Sequence, residues 1–191
     1  MAPRGRETRP TSDRVREALF SALGNVAGAT VLDLYAGTGA LGIEALSRGA
    51  AHALFVERDR AALAVLRENL RALSLEPRTA IIALPVDRAL AEVARRGPYH
   101  LLLVDPPYAD VAAAVDLVGN LVGRGAVDGA ARIVVEHASR DEAPEHPALE
   151  LEDTRRYGDT AVSRYVVATP EAGEADGSRA DETGGDDTTT P

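Results

Sequence analysis

Apolar residues follow two different spacings along this chain. Short apolar runs, typical of buried strands, are separated by stretches whose apolar residues recur every three or four positions, as on one face of a helix. The first stretch, from Val15 to Leu23, follows a possible cap at Thr11-Ser12-Asp13 and stops before Gly24-Asn25. An amphipathic helix is therefore predicted ahead of the first strand.

Strands and helices then alternate. The pattern predicts strands at residues 31–35, 53–57, 79–84, 101–104, 132–136 and 162–168, and helices at 41–49, 60–73, 87–95 and 111–122. Because parallel strands need crossover helices, this alternation indicates an α/β fold with a mainly parallel sheet covered on both faces. Ligands of such sheets bind beyond the carboxyl ends of the strands, so the loops there are the candidate sites.

Composition narrows the class of protein. A chain of 191 residues with 45% apolar content fits a single globular domain. The absence of cysteine excludes disulfides, thiolate metal sites and a cysteine nucleophile, and four scattered histidines suggest no metal site. The chain has no signal-peptide pattern and no apolar run of the roughly 18 residues that a membrane span needs. We expect a cytoplasmic monomer with no membrane partner.

Charge is distributed unevenly around a net value of −9. The segment 170–191 has seven acids and one Arg and is predicted to be a disordered acidic tail. The first sixteen residues are instead basic, with Arg4, Arg6, Arg9, Arg14 and Arg16. We therefore divide the chain into a basic arm and helix at 1–29, a central domain at 30–169 and the tail. A local basic arm can bind phosphate even on an acidic protein.

A glycine-rich turn follows the first predicted strand. The segment Gly37-Thr38-Gly39-Ala40-Leu41-Gly42 matches nucleotide-binding folds, in which missing side chains let backbone N–H groups and a helix start approach a cofactor. Glu57 ends the next strand, where a carboxylate can accept hydrogen bonds from both ribose hydroxyls. Gly37, Gly39 and Glu57 are thus predicted to contact an adenosine-containing cofactor.

Asp33 distinguishes between two such cofactors. It lies four residues before the first glycine, where its carboxylate would repel the phosphates of a dinucleotide. S-adenosylmethionine carries positive charge there instead, so Asp33 favours S-adenosylmethionine, and the nearby Tyr35 is placed with the cofactor contacts. Alternatively, Asp33 is a helix cap or turn acceptor and Glu57 a solvated strand end. Asp87, after the third strand, is either a helix cap or a contact to the adenine amino group.

The tetrapeptide Asp105-Pro106-Pro107-Tyr108 ends the fourth predicted strand, and its prolines fix the backbone where the ligand crevice opens. The amino group of an aromatic base is a poor nucleophile because its lone pair is delocalised. The Asp105 carboxylate and the Pro106 carbonyl can each accept a hydrogen bond from one N–H of this amino group, and Pro107 adds no competing donor. Tyr108 can stack on the base, an interaction worth about 1–3 kcal/mol. All four are predicted to be catalytic; the alternative is a stiff turn with a buried tyrosine.

Three segments resemble a known family. Arg9-Pro10-Thr11-Ser12-Asp13-Arg14-Val15-Arg16-Glu17, the stretch from Asp33 to Ala45 and the Asp105 tetrapeptide are together similar to the bacterial 16S ribosomal RNA guanine-N2 methyltransferases. The resemblance implies a seven-stranded, Rossmann-like class I methyltransferase and S-adenosylmethionine as cofactor. It implies a guanine of 16S rRNA as substrate, in the small ribosomal subunit or an assembly intermediate.

The resemblance also implies that the basic segment lies near the mouth of the active site. Arg9, Arg14 and Arg16 are therefore predicted RNA contacts, with a solvated helix face as the alternative. DNA adenine-N6 or cytosine-N4 amino methyltransferases share the tetrapeptide but normally add a target-recognition region for which this chain has no room. A nicotinamide-dependent oxidoreductase would leave Asp33 and the tetrapeptide without a role. A non-catalytic binding module is the third alternative.

Overall fold

The computed structural model describes residues 10–169, with side chains from Val15 onward. Arg9 and the predicted tail lie outside these residues, and only the backbone of Arg14 is described. The strands in this range are β1 (Thr30–Leu34), β2 (His52–Val56), β3 (Thr79–Ile82), β4 (Tyr99–Val104), β5 (Val127–Ala138), β6 (Leu149–Tyr157) and β7 (Thr160–Val167). The helices are α1 (Pro10–Leu23), α2 (Ala40–Ser47), α3 (Arg60–Ala72), α4 (Val86–Arg96) and α5 (Val111–Gly123).

The strands form one sheet with the order β3-β2-β1-β4-β5-β7-β6. Strands β1 to β5 are parallel, and β7 lies antiparallel between β5 and β6. The chain moves outward from β1 to β3 and then returns to the other side of β1 with β4. The strand order therefore reverses between β1 and β4, where open α/β sheets bind their ligands. The predicted α/β class and mostly parallel seven-stranded sheet are confirmed.

Apolar side chains cover both faces of the sheet. On one face, α4 and α5 pack against strand residues that include Leu102 and Val104. On the other face, α1, α2 and α3 pack against Val31, Phe55 and Leu103. The first helix thus shares a core with the sheet that follows it in sequence. None of the helices between residues 10 and 169 combines the length and apolar content needed to cross a membrane.

Strand β6 was not among the elements that the apolar pattern predicted individually. Most of its residues are charged or polar, and most of its side chains are exposed to some degree, because β6 pairs only with β7 at the edge of the sheet. An edge strand contributes little to the core, so its sequence lacks the apolar run that marks a buried strand.

Several predicted boundaries differ from the structure by two or more residues. Helix α1 begins at Pro10, so Thr11-Ser12-Asp13 lies inside the helix and the predicted cap was wrong. A proline suits the first turn because its fixed φ is helical and its missing N–H would have had no helical partner. Strand β3 ends at Ile82, two residues early, and β5 begins at Val127, five residues before the predicted start.

Two arginines from the sheet hold the carboxyl end of α1. Arg132 on β5 donates from Nη1 to the Leu23 carbonyl and from Nη2 to the Asn25 carbonyl, the latter at 2.8 Å. Arg164 on β7 donates to the Ala22 carbonyl at 3.3 Å. The last carbonyls of a helix have no helical partners, and cationic side chains there also interact favourably with the helix dipole. This end of α1 is therefore fixed against β5 and β7.

We predict that Arg132→Ala lowers the free energy of unfolding by about 1–3 kcal/mol, because two charge-assisted hydrogen bonds are lost. The measurement is urea denaturation followed by circular dichroism. Arg124→Ala, which removes an exposed arginine directly after α5, is the matched control and should change stability by less than about 0.5 kcal/mol. Equal stability of the two variants would contradict the proposed role of Arg132.

Candidate active site

Four carboxylates gather where the parallel strands end. The register pairs Leu34 of β1 with Val56 of β2 and with Val104 of β4, so these strands end at one level. Asp33 lies one residue before the end of β1, Glu57 directly after β2 and Asp105 directly after β4. Glu136 lies near the end of β5, one residue beyond the paired Val104 and Val135. The predicted residues Asp33, Glu57 and Asp105 are therefore at the same edge of the sheet.

The turn after β1 is held from two neighbouring elements. The Gly37 N–H donates to Glu57 Oε2 at 2.7 Å, and Asn69 on α3 donates from Nδ2 to the Thr38 carbonyl at 3.0 Å. The other Glu57 oxygen accepts from the N–H groups of Arg58 and Asp59. Glu57 is thus a half-buried acceptor that ties two loops together, and the alternative of a solvated strand end was wrong.

Asp33 is 1% exposed, and its Oδ2 accepts a hydrogen bond from the Gly42 N–H at 2.9 Å. This is the contact expected of a turn acceptor, the alternative given for this residue. Burial raises the Asp33 pKa well above its ordinary value, and the nearby charges of Asp105 and Glu57 also raise it, while the Gly42 hydrogen bond lowers it. Any contact of Asp33 with a cofactor must coexist with its role in holding α2.

The glycines of this turn meet different surroundings. A Cβ at Gly42 would collide with the Phe55 ring and lie 2.9 Å from Asp33 Oδ2, and a Cβ at Gly39 would collide with Leu66. Gly39 also has a φ of +85° and Gly37 a φ of +56°, which side chains disfavour. A Cβ at Gly37 would have no atom within 4 Å. Side chains of the core therefore fill the space beside Gly39 and Gly42, whereas the space beside Gly37 is empty.

Tyr35 and Asp87 line the crevice on the side of α4 and α5. Tyr35 has an unusual φ of +59°, and burial followed by the charges of Asp110 and Asp87 raises its pKa. Strained backbone of this kind concentrates at functional sites. Asp87 is exposed in the first turn of α4, whose N-cap is Pro85. The helix-cap alternative for Asp87 was therefore wrong, and its contact with adenine stays a prediction.

The tetrapeptide forms the opposite wall of the crevice. The Asp105 N–H lies 3.4 Å from the Leu34 carbonyl, which continues the β1–β4 ladder one step, and Pro106 is buried while Pro107 is exposed. Tyr108 is 45% exposed, with its hydroxyl 3.4 Å from Thr160 Oγ1. The alternative of a stiff turn around a buried tyrosine was therefore wrong, because the ring is accessible to a ligand.

Glu136 is the residue that the sequence reasoning missed. It faces the same side of the sheet as Val134, its neighbour along β5, and Val162, its partner on β7. Solvent reaches Asp105 at the open side of the crevice, yet the surrounding protein raises its pKa to about 6. Burial and the Asp105 charge raise the pKa of Glu136 to about 7. The signal was available, since Glu136 follows a buried apolar run just as Asp105 does.

The structure describes the side chain of only one of the three predicted RNA-binding arginines. Arg16 lies on α1, half-buried, with its Nε 4.0 Å from Glu44 Oε2 on α2. The carboxyl end of α1 is fixed beside Arg132, four residues before Glu136 on β5. Arg16, seven residues before Leu23, lies beside Glu44 of α2, which begins after the turn at the carboxyl end of β1, so α1 runs back toward that end of the strands, with the backbone of Arg14 in its amino-terminal half. RNA contact by Arg14 and Arg16 stays a prediction.

A separate open cavity of about 360 Å³ lies at the opposite edge of the sheet, lined by residues that include Thr30, His52, Arg78 and Tyr99. It contains none of the predicted residues. We place the candidate site at the carboxyl edge instead, because ligands of parallel sheets bind where the strand order reverses and the acidic and tetrapeptide residues meet there.

Comparison with known proteins gives a family for this arrangement. A family profile described as "Conserved hypothetical protein 95" matches residues 1–166. The chain is 37% identical over 167 residues to the "Putative rRNA methyltransferase YlbH" of Bacillus subtilis, an alignment that covers 84% of this chain and 89% of that relative. It is 38% identical over 142 residues to the "Ribosomal RNA small subunit methyltransferase D" of Escherichia coli, with 73% and 69% covered. The chain belongs to this family.

A solved structure of the family has the same fold. The "Putative methyltransferase yhhF from Escherichia coli" superposes with a TM-score of 0.72 at 34% identity, covering 87% of this chain and 90% of that one. The predicted family is confirmed. Membership of a methyltransferase family also supports the predicted cofactor, S-adenosylmethionine. The residue roles within this methyltransferase site remain predictions.

We predict that Gly42→Ala destabilises the protein by about 1–3 kcal/mol, because the added methyl must displace the Phe55 ring or the Asp33 carboxylate. Urea denaturation measures the loss. Gly123→Ala is the matched control, since its Cβ at the end of α5 would have no atom within 4 Å, and it should change stability by less than about 1 kcal/mol. Similar stabilities for the two variants would show that the turn adapts freely.

We also predict that Asp105→Asn and Glu136→Gln each raise the melting temperature at pH 8 by a few degrees. Folding raises both pKa values, to about 6 and about 7, above the value of roughly 4 expected in an unfolded chain. The folded state then binds more protons than the unfolded state, so stability falls as pH rises from about 4 to about 7. Removing either charge relieves this loss at pH 8, and the gain should vanish near pH 4.

Thermal unfolding by calorimetry at pH 4 and pH 8 tests this expectation. Asp116→Asn, an exposed carboxylate on α5, is the control and should shift the melting temperature little at either pH. A lower melting temperature for both site variants at pH 8 would mean that the two carboxylates stabilise the fold.

Proposed function

We propose that this protein transfers a methyl group from S-adenosylmethionine to the N2 amino group of a guanine in 16S ribosomal RNA. The observation that carries the proposal is the juxtaposition of Asp105 and the buried Pro106 with the glycine turn at the switch point of the sheet. The names of the relatives support ribosomal RNA of the small subunit as the substrate. The accessible ring of Tyr108 supports a flat aromatic base as the acceptor.

The residues present fit the cofactor. Glu57, Asp105 and Glu136 place carboxyl groups around the crevice, with Asp33 buried behind the glycine turn, and such groups suit a ligand that carries a sulfonium and an ammonium group. The open Gly37 leaves room for a ligand against the turn, and Glu57 keeps lone pairs for ribose hydroxyls. Asp33, Tyr35, Gly37, Gly39, Glu57 and Asp87 are the proposed cofactor contacts. When bound, S-adenosylmethionine supplies an electrophilic methyl group.

The tetrapeptide prepares the amino group of the base. In the proposed complex, the Asp105 carboxylate and the Pro106 carbonyl each accept a hydrogen bond from one N–H of the amine, while Tyr108 stacks on the ring of the base. The acceptors orient the nitrogen lone pair toward the methyl group, and most of the acceleration comes from this positioning. After transfer, the nitrogen gives one proton to the Asp105 carboxylate, whose raised pKa favours proton uptake.

Recognition of RNA requires further contacts around this centre. The direction of α1 supports a role for Arg14 and Arg16 at the mouth of the site, where their guanidinium groups can bind phosphate. A base within a duplex must first be flipped out, at a cost of a few kcal/mol. We propose that the substrate is the small ribosomal subunit or an assembly intermediate, and that the enzyme acts as a cytoplasmic monomer.

We predict that the protein labels small ribosomal subunits from a strain that lacks the endogenous enzyme. The assay supplies methyl-labelled S-adenosylmethionine, digests the RNA and identifies the labelled nucleoside, which should be N2-methylguanosine. Asp105→Ala should lower the rate by at least about 10²-fold, because the amine loses one of the two acceptors that align it. Asp116→Ala should leave the rate unchanged.

The other outcomes separate the alternatives. Label on adenine or cytosine of duplex DNA, with none on RNA, would replace this proposal by a DNA amino methyltransferase. An Asp105→Ala variant that keeps the full rate would show that the tetrapeptide is not the catalytic centre. Full biological effect without any methyl transfer would favour a binding module.

A further inference from the structure

Glu136 and Asp105 form a pair of neighbouring carboxylates across two parallel strands. The register pairs Leu103 with Val134 and Val104 with Val135, so the next step of the ladder brings Asp105 beside Glu136. Neighbouring strands lie about 4.8 Å apart. Glu136 shares the face of Val134 and Val162, which is the face covered by α1, α2 and α3. Both carboxyl groups can therefore reach one ligand in the crevice.

The two carboxylates differ from Asp33 and Glu57 in their protein contacts. Within the described residues, neither carboxylate accepts a hydrogen bond or forms an ion pair, whereas Asp33 and Glu57 both accept backbone N–H groups. Both groups are accessible from the crevice, since Asp105 is exposed and Glu136 half-buried, and none of the described buried side-chain oxygens lacks a partner. Their acceptor oxygens are therefore available to the N–H groups of a ligand.

Guanine offers these donors side by side. Its N1–H lies next to the N2 amino group, so the edge presents three N–H bonds in a row. Adenine and cytosine instead present a ring acceptor next to their amino groups, which would face a carboxylate unfavourably. Above their raised pKa values both groups are ionised and only accept hydrogen bonds, so the ionised pair suits guanine and disfavours the other two bases.

We propose that Glu136 selects guanine by accepting the hydrogen bond of its N1–H while Asp105 and Pro106 hold the N2 amino group. This inference rests on the proposed function, because it concerns the base held in that same site. Glu136 makes no bond to the methylated nitrogen; it reads the neighbouring ring position. The strand register fixes its distance from Asp105 and thus the spacing of the two acceptors.

The test replaces the target guanine by 2-aminopurine, which keeps the N2 amino group but has an acceptor at N1 and no O6. The substrates are small subunits reconstituted with 16S rRNA ligated from segments that carry guanine or 2-aminopurine at the methylated position. The wild-type protein should prefer guanine by at least about 10²-fold in kcat/KM, because the analogue leaves Glu136 without its donor.

Glu136→Gln should reduce this preference to within about tenfold, because an amide can accept from the guanine N1–H or donate to N1 of 2-aminopurine. The missing O6 affects both proteins equally and cancels when the two preferences are compared. Glu150→Gln, on the exposed edge strand β6, is the matched control and should keep the wild-type preference. If Glu136→Gln turns over too slowly, the same comparison uses the relative dissociation constants of the two RNAs.

The possible results distinguish the inference from the function on which it rests. If the wild-type protein forms N2-methylguanosine but Glu136→Gln keeps the full preference for guanine, Glu136 does not read N1 and the inference alone fails. An equal loss of rate on both substrates would also overturn it, since that result indicates a purely structural role. If the wild-type protein forms no N2-methylguanosine, the proposed function fails and the inference fails with it.

Discussion

The hydrogen bond from the Gly42 N–H to the buried Asp33 carboxylate fixes the turn around which the site is arranged. Loss of the partner of a buried carboxyl group is unfavourable, so the start of α2 is held to β1. Gly42 has no side chain because the Phe55 ring of β2 fills that space. The neighbouring loop adds the Glu57 carboxylate, which holds Gly37. Hydrogen bonds thus connect the sheet, α2 and the glycine turn.

The rest of the crevice contains two neighbouring carboxylates, Asp105 and Glu136, that form no ion pair with any other described residue. Asp105 and Glu136 keep raised pKa values because burial disfavours their charged forms and because they repel each other. Above these pKa values the folded protein is expected to be less stable than a variant with amides at the two positions. A ligand that is cationic or donates hydrogen bonds would offset this cost. The same two groups therefore connect the stability of the protein with its selection of ligands.

The apolar pattern predicted the helices and strands that contribute most to the core. The glycine turn and the Asp105 tetrapeptide were recognisable from their glycines and prolines. The β1 turn and the Asp105 tetrapeptide lie at the sheet edge where they were expected, since parallel strands end together. Strand β6 was not predicted individually because an edge strand needs no buried run. Glu136 could have been noted because it follows a buried apolar run, but its place beside Asp105 depends on strand pairing, which spacing alone does not give. The hydrogen bonds of Asp33 and Glu57 likewise depend on tertiary contacts.

Arg132 and Arg164 hold the carboxyl end of α1, and Val15, Leu19 and Phe20 pack the helix into the core. Each residue between Arg16 and this end therefore sets both the position of Arg16 and the direction in which it faces. One residue inserted between Arg16 and Leu23 would move Arg16 by about 1.5 Å along the helix axis and by about 100° around it. The number of residues between Arg16 and Leu23 is therefore as tightly constrained as their chemistry.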